Sequence, residues 1–188
     1  MSGSHRMARS TPGARTAVAI AAALTLAAGT AAPARAACTS GGLGLTAPST
    51  LTFPGTTLTG ANQTATTTLA LTGDDQSGTG TGWKLTATST TLTNGAFTLP
   101  TTATTVSGVT RTAGAGSCSL PANAVTYPVT IPAAASPPAA AKIFSAAAGA
   151  YAGTGAIDLS IALSLAIPAN ARAGTYTSTW TLSLVTGP

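Results

Sequence analysis

The chain has 188 residues, of which only 6% are charged, and a formal charge of +5. Arg6, Arg9, Arg15 and Arg35 sit near the N-terminus; beyond them Lys84, Arg111, Lys142 and Arg172 stand against Asp74, Asp75 and Asp158, a balance of +1. No basic patch remains to hold nucleic acid, and a near-neutral surface suits a place in a wall or an assembly, since little net charge opposes association.

Residues 1–36 read as a secretory signal. His5, Arg6, Arg9 and Arg15 form a basic start, Thr16 to Ala28 is an apolar run, and Ala34-Arg35-Ala36 is a small-x-small cleavage site. An anchor helix would need about 18–20 uninterrupted apolar residues, and Gly29 and Pro33 break this run. The expected mature chain is therefore 37–188, secreted and not transmembrane after cleavage. Cys38 and Cys118 are the only cysteines. In an exported chain such a pair reads as one disulfide, closing a loop of about 80 residues and contributing on the order of 4 kcal/mol. Two free thiols are the alternative.

The mature segment is long enough for one domain with a single core. Thr64 to Thr72 reads as a strand with Leu69 and Leu71 inward, followed by a Gly-rich loop from Gly73 to Gly82. Trp83 to Leu92 alternates next, with Trp83, Leu85 and Ala87 on one face and Lys84, Thr86 and Thr88 on the other. Val125 to Ile131 alternates too, and Pro128 and Pro132 confine it to a sheet edge, where it could pair with another chain. Ala133 to Ala141 reads as a loop, and the alanine-rich stretch Ala140 to Ala148 as one or two helical turns.

The clearest strand is Ile157 to Ile167. Its odd positions are all Ile or Leu and its even positions Asp, Ser or Ala, the period of a half-buried strand. After a turn from Pro168 to Gly174, Thr175 to Leu184 alternates Tyr176, Ser178, Trp180, Leu182 and Leu184 against Thr and Ser. The short connection predicts an antiparallel pair. The fold class expected is all-β, an antiparallel β-sandwich or barrel-like single domain of about eight strands with little helix.

Catalysis lacks its usual parts. Beyond the leader there is no His, and the whole chain has no Glu. Neither a Ser-His-Asp triad nor a His-based metal site can be assembled. The expectation is therefore a non-enzyme with no cofactor and no metal. Asp74, Asp75 and Gln76 could offer oxygens to calcium, but Asp side chains also serve sharp turns. Asn62-Gln63-Thr64 matches a glycosylation acceptor and carries no functional weight here.

Trp83 and Trp180, the only tryptophans, each open a Trp-x-Leu strand. They suggest a single domain whose first and last parts belong together. Exposed aromatics can stack on sugars, which makes Trp83 and Trp180, with Tyr176 and Lys84 beside them, candidate ligand-binding residues. Sharing faces with leucines is also a core pattern, and burying one indole removes on the order of 200 Å² from water. The Thr-rich outer strand faces and the loop from Gly73 to Thr81 are further candidate surfaces.

These residues resemble the WxL domain family of Gram-positive surface proteins. The first match is Leu71-Thr72-Gly73-Asp74-Asp75 followed by Gly80-Thr81-Gly82-Trp83-Lys84-Leu85. The second is Leu165-Ala166-Ile167-Pro168-Ala169, then Ala173-Gly174-Thr175-Tyr176-Thr177, then Trp180-Thr181-Leu182. The resemblance runs from about Leu51 to Pro188 and is specific at both ends; Cys38 and Cys118 lie outside its pattern. It implies secretion, a β-rich fold, non-covalent association with cell-wall peptidoglycan, and partnership with other surface proteins. A structural subunit of a surface assembly or fibre is the alternative. The closing Val185-Thr186-Gly187-Pro188 offers no sorting signal, so covalent wall attachment is not expected.

Overall fold

The computed structural model describes residues 17–24, 42–117, 120–149 and 154–188. The basic start of the leader, its cleavage site and both cysteines of the expected disulfide lie outside them. The described residues form strands β1 (Ala17–Leu24), β2 (Leu43–Thr46), β3 (Thr50–Thr57), β4 (Gln63–Asp75), β5 (Trp83–Thr90), β6 (Thr93–Asn94) and β7 (Phe97–Thr98). Then follow β8 (Thr104–Ala113), β9 (Val129–Thr130), β10 (Ala133–Ala134), β11 (Ala141–Ala146), β12 (Gly155–Ile167) and β13 (Thr179–Thr186). The fold is all-β, and among the described residues no helix is long and apolar enough to cross a membrane.

Two sheets share one core. The first runs β10-β5-β13-β1-β3, with β11 also paired to β5; the second runs β2-β4-β12-β8-β9; β6 and β7 form a small hairpin apart. Strand β12 is the spine of the second sheet. Its register places Leu159 opposite Leu71 of β4 and Ile161 opposite Leu69. All six of its odd-numbered aliphatics, Ile157 to Ile167, are buried, and Asp158, Ser160, Ala162 and Ala166 face outward exposed, as period two requires.

The two Trp-x-Leu strands are direct neighbours. β13 runs antiparallel to β5, with Trp180 opposite Ser89, Leu182 opposite Ala87, Leu184 opposite Leu85 and Thr186 opposite Trp83. The indoles therefore sit at opposite ends of one ribbon. This pairing draws together segments about a hundred positions apart.

The structure corrects four local expectations. β12 and β13 do not pair with each other: β12 bonds β4 and β8, while β13 bonds β5 and β1. Both strands turn an apolar face into the one shared core from different sheets, so the connection crosses between sheets. The segment from Ala140 to Ala148 is not helical. Its centre is β11, which is bonded to β5 and buries Ile143, Phe144 and Ala146; tertiary pairing overrides the helical preference of alanine. β4 extends through Asp75, which shortens the Gly-rich loop to 76–82. The expected edge strand Val125 to Ile131 contracts to Val129–Thr130, which does lie at the end of the second sheet, beside β8.

Candidate functional site

Trp83 is 0% exposed, and Trp180 and Tyr176 are each 1% exposed. The three rings are therefore closed to an external ligand, and of the four candidate binding residues only Lys84 reaches the outer face, half-buried on β5. The physical reason is local. Trp83 packs beside Phe144 of the neighbouring strand β11, with ring centroids 5.1 Å apart, and its ring reaches across to β4 of the other sheet. A Cβ on Gly73 would meet the far edge of that ring at 3.1 Å, so glycine at position 73 makes room for the indole. Gly82 just before it has φ +74, and a Cβ there would fall 2.4 Å from the Ala146 carbonyl oxygen. A side chain is excluded both by backbone conformation and by space. The Gly-Trp-x-Leu pattern is thus a packing device.

Tyr176 secures the loop between the sheets. Its hydroxyl donates to the Arg172 carbonyl at 3.1 Å and accepts from the Arg172 N–H at 3.3 Å. Ser178 and Thr90 continue the tie: the Ser178 hydroxyl donates to the Thr90 carbonyl at 2.5 Å, and the Thr179 N–H donates to Thr90 Oγ1 at 2.8 Å.

Asp74 and Asp75 leave β4 on opposite faces and form no shared pocket. Asp75, 1% exposed, accepts from the Ser77 N–H at 2.9 Å and the Ser77 hydroxyl at 2.6 Å through Oδ1. This is turn chemistry at the head of the Gly-rich loop. Asp74 Oδ2 accepts from Gln76 Nε2 at 2.7 Å. Among the described residues no three His, Cys, Asp or Glu side chains come together in a metal-binding group. Asn62 turns its Oδ1 to the Ala169 N–H at 2.9 Å, tying two loops together.

The open surface lies on the outer face of the second sheet. A shallow groove of about 510 Å³ runs over β4, β12 and β8 beneath the segment Thr46-Ala47-Pro48. Its floor carries Thr72, Asp158 and Ser160, and Thr110 and Thr112 of β8 close the far side. The β12 register sets Asp158 between Thr72 and Thr112, and Ser160 between Ala70 and Thr110. The exposed Asp158 carboxylate accepts from Thr72 Oγ1 at 2.6 Å. The groove is lined by hydroxyls and methyls around a single carboxylate, so it offers hydrogen-bond donors and acceptors with little charge. Sequence reading placed Asp158 and Ser160 on the outer face but had no means of gathering three strands and the β2–β3 connection around them.

Comparison with known proteins finds no family model, no curated protein and no solved structure that matches this chain.

Proposed function

We propose that this chain is a non-enzymatic, exported domain of the cell surface that associates non-covalently with cell-wall glycan through the outer face of the second sheet. The groove around Asp158, mostly apolar in its lining with threonine and serine hydroxyls set into it, is the observation that carries the reading. Glycans present hydroxyl and amide groups in both hydrogen-bonding senses. Threonine and serine hydroxyls answer either sense, and the carboxylate accepts from a sugar hydroxyl. The leader at 1–36 supports export, and the WxL resemblance supports peptidoglycan as the polymer.

Co-sedimentation of the full chain with purified peptidoglycan tests this. The expected result is retention above a control β-domain, with a loss of about tenfold, equivalent to about 1.4 kcal/mol, when Asp158→Asn is combined with Thr112→Val. Retention no better than the control overturns wall association. Retention unchanged in the double variant moves the site off the groove.

A second reading, membership of a multiprotein surface assembly, is favoured by a different feature, the place of β1 in the first sheet.

A further inference from the structure

β1 lies in the interior of the first sheet, between β3 and β13. It runs antiparallel to β3, with Ile20 opposite Phe53, Ala22 opposite Leu51 and Ala23 opposite Thr50. It runs parallel to β13, with Ala23 opposite Thr179 and Leu24 opposite Trp180. The register shifts between Val18 and Ile20, where β3 carries Pro54-Gly55. Proline has no N–H to give a ladder, so Pro54 interrupts the regular pairing, which resumes at Val18 opposite Thr56 and Ala17 opposite Thr57.

The same eight residues are the heart of the apolar run that the sequence marks for removal on export. Under the proposed export, on which this inference rests, cleavage after Ala36 would take β1 away with the leader. β3 pairs with no other strand in its sheet, yet its Leu51 and Phe53 belong to the core at 7% and 1% exposure. Removing β1 opens a gap two strand spacings wide, about 9.5 Å, too wide for β3 and β13 to bond directly. Both edges would then carry unpaired N–H and C=O groups beside buried aromatics, which is a template for another strand.

We infer that this gap is a strand-acceptor seat, and that in the exported protein an extended segment of a different protein chain takes the place of the leader. The walls define the occupant. β3 and β13 contain no charged residue, so a charged donor would go unpaired. The positions opposite Phe53, Leu51 and Trp180 fall at every second residue of the inserted strand, positions 20, 22 and 24, where the sequence has Ile, Ala and Leu. The partner presents an uncharged stretch of about eight residues, aliphatic or small at every second position, running antiparallel to β3 and parallel to β13. Main-chain bonds supply affinity and the alternate side chains supply selectivity. Each other strand described in a second copy already has a place in its own sheets, so a second copy would have to surrender one.

The test begins with the full chain, folded and then cut at a protease site placed between Ala36 and Ala37. A labelled peptide of sequence Ala17–Leu24, with lysines added outside it for solubility, is offered to the cut protein. A control peptide carries Asp at the positions of Ile20 and Leu24. The expected result is one-to-one replacement of the cut strand by the labelled peptide and not by the control. Amide exchange at 50–53 and 179–180 should be slow with either occupant and about 100-fold faster with the seat empty. In the uncut chain, Ala22→Pro should lose protection at 50–53 and regain it when the peptide is added. Slow exchange at 50–53 without any occupant, or equal binding of both peptides, overturns the seat. Dimers that exclude the peptide overturn the choice of a heterologous partner and assign the seat to a second copy.

Discussion

The β5–β13 ribbon buries both tryptophans, whereas the middle of the β4–β12–β8 sheet leaves Asp158, Ser160, Thr110 and Thr112 open to solvent. The two regions share a composition rich in threonine and leucine. They differ in which residues face the partner sheet. In the ribbon the rare, large residues point inward, and Gly73 and Gly82 clear the space they need. On the outer sheet face the residues are small, polar and individually unremarkable, yet they form the groove. The residues that make this sequence distinctive maintain the fold, and common residues line the surface available for recognition.

That contrast can be broken first at its strongest point. Trp83→Ala removes a fully buried ring and should destabilise the domain by about 3–5 kcal/mol, measured by denaturant unfolding. Any loss of glycan retention in that variant would track unfolding. Gly82→Ala should cost at least about 1–3 kcal/mol, because alanine is strained at φ +74 and its Cβ would also meet the Ala146 carbonyl oxygen. A melt unchanged from the native chain would show that the Gly-Trp junction is not the packing device described. Tyr176→Phe keeps the ring and loses its two main-chain bonds to Arg172, an effect of about 1 kcal/mol.

Groove substitutions sharpen the other side. Asp158→Asn should change stability by no more than about 0.5 kcal/mol, while weakening retention on peptidoglycan. The smallest effect concerns Tyr127. Its hydroxyl donates to the Ile143 carbonyl at 2.6 Å and accepts from Asn123 Nδ2 at 2.9 Å. Burial raises its pKa above the ordinary 10.0, and the Asn123 bond opposes this. A raised folded pKa means that the neutral phenol is favoured in the native state. This contribution is present below pH 10 and is lost as the pH climbs through the folded value. Ultraviolet titration should show one tyrosine ionising later than in the unfolded chain, a delay that Asn123→Ala increases.

Faces were more legible in the sequence than partners. The alternation from Ile157 to Ile167 predicts the inner and outer faces of β12 because period two maps directly onto the pleat. It says nothing of which strand lies beside it. The short link to Thr175 suggested a hairpin, but the apolar faces of β12 and β13 both need covering, and each enters the shared core from its own sheet. The alanine-rich β11 was illegible for a related reason: its strand state comes from bonds to β5, about sixty positions earlier, not from local preference. The pairing of the two Trp-x-Leu strands was hinted at by their similarity. The groove was not, since Thr46, Thr72, Thr112 and Asp158 meet only once the second sheet is assembled.

Collisional quenching of tryptophan emission tests the central contrast most directly, because Trp83 and Trp180 are the only indoles. It is measured on the folded full chain with and without peptidoglycan. The account predicts blue-shifted emission, little quenching by iodide, and no change in quenching when the chain is bound to the polymer. Emission at the position of exposed indole, or protection from iodide that appears only with peptidoglycan, would contradict it by placing the tryptophans at the binding surface.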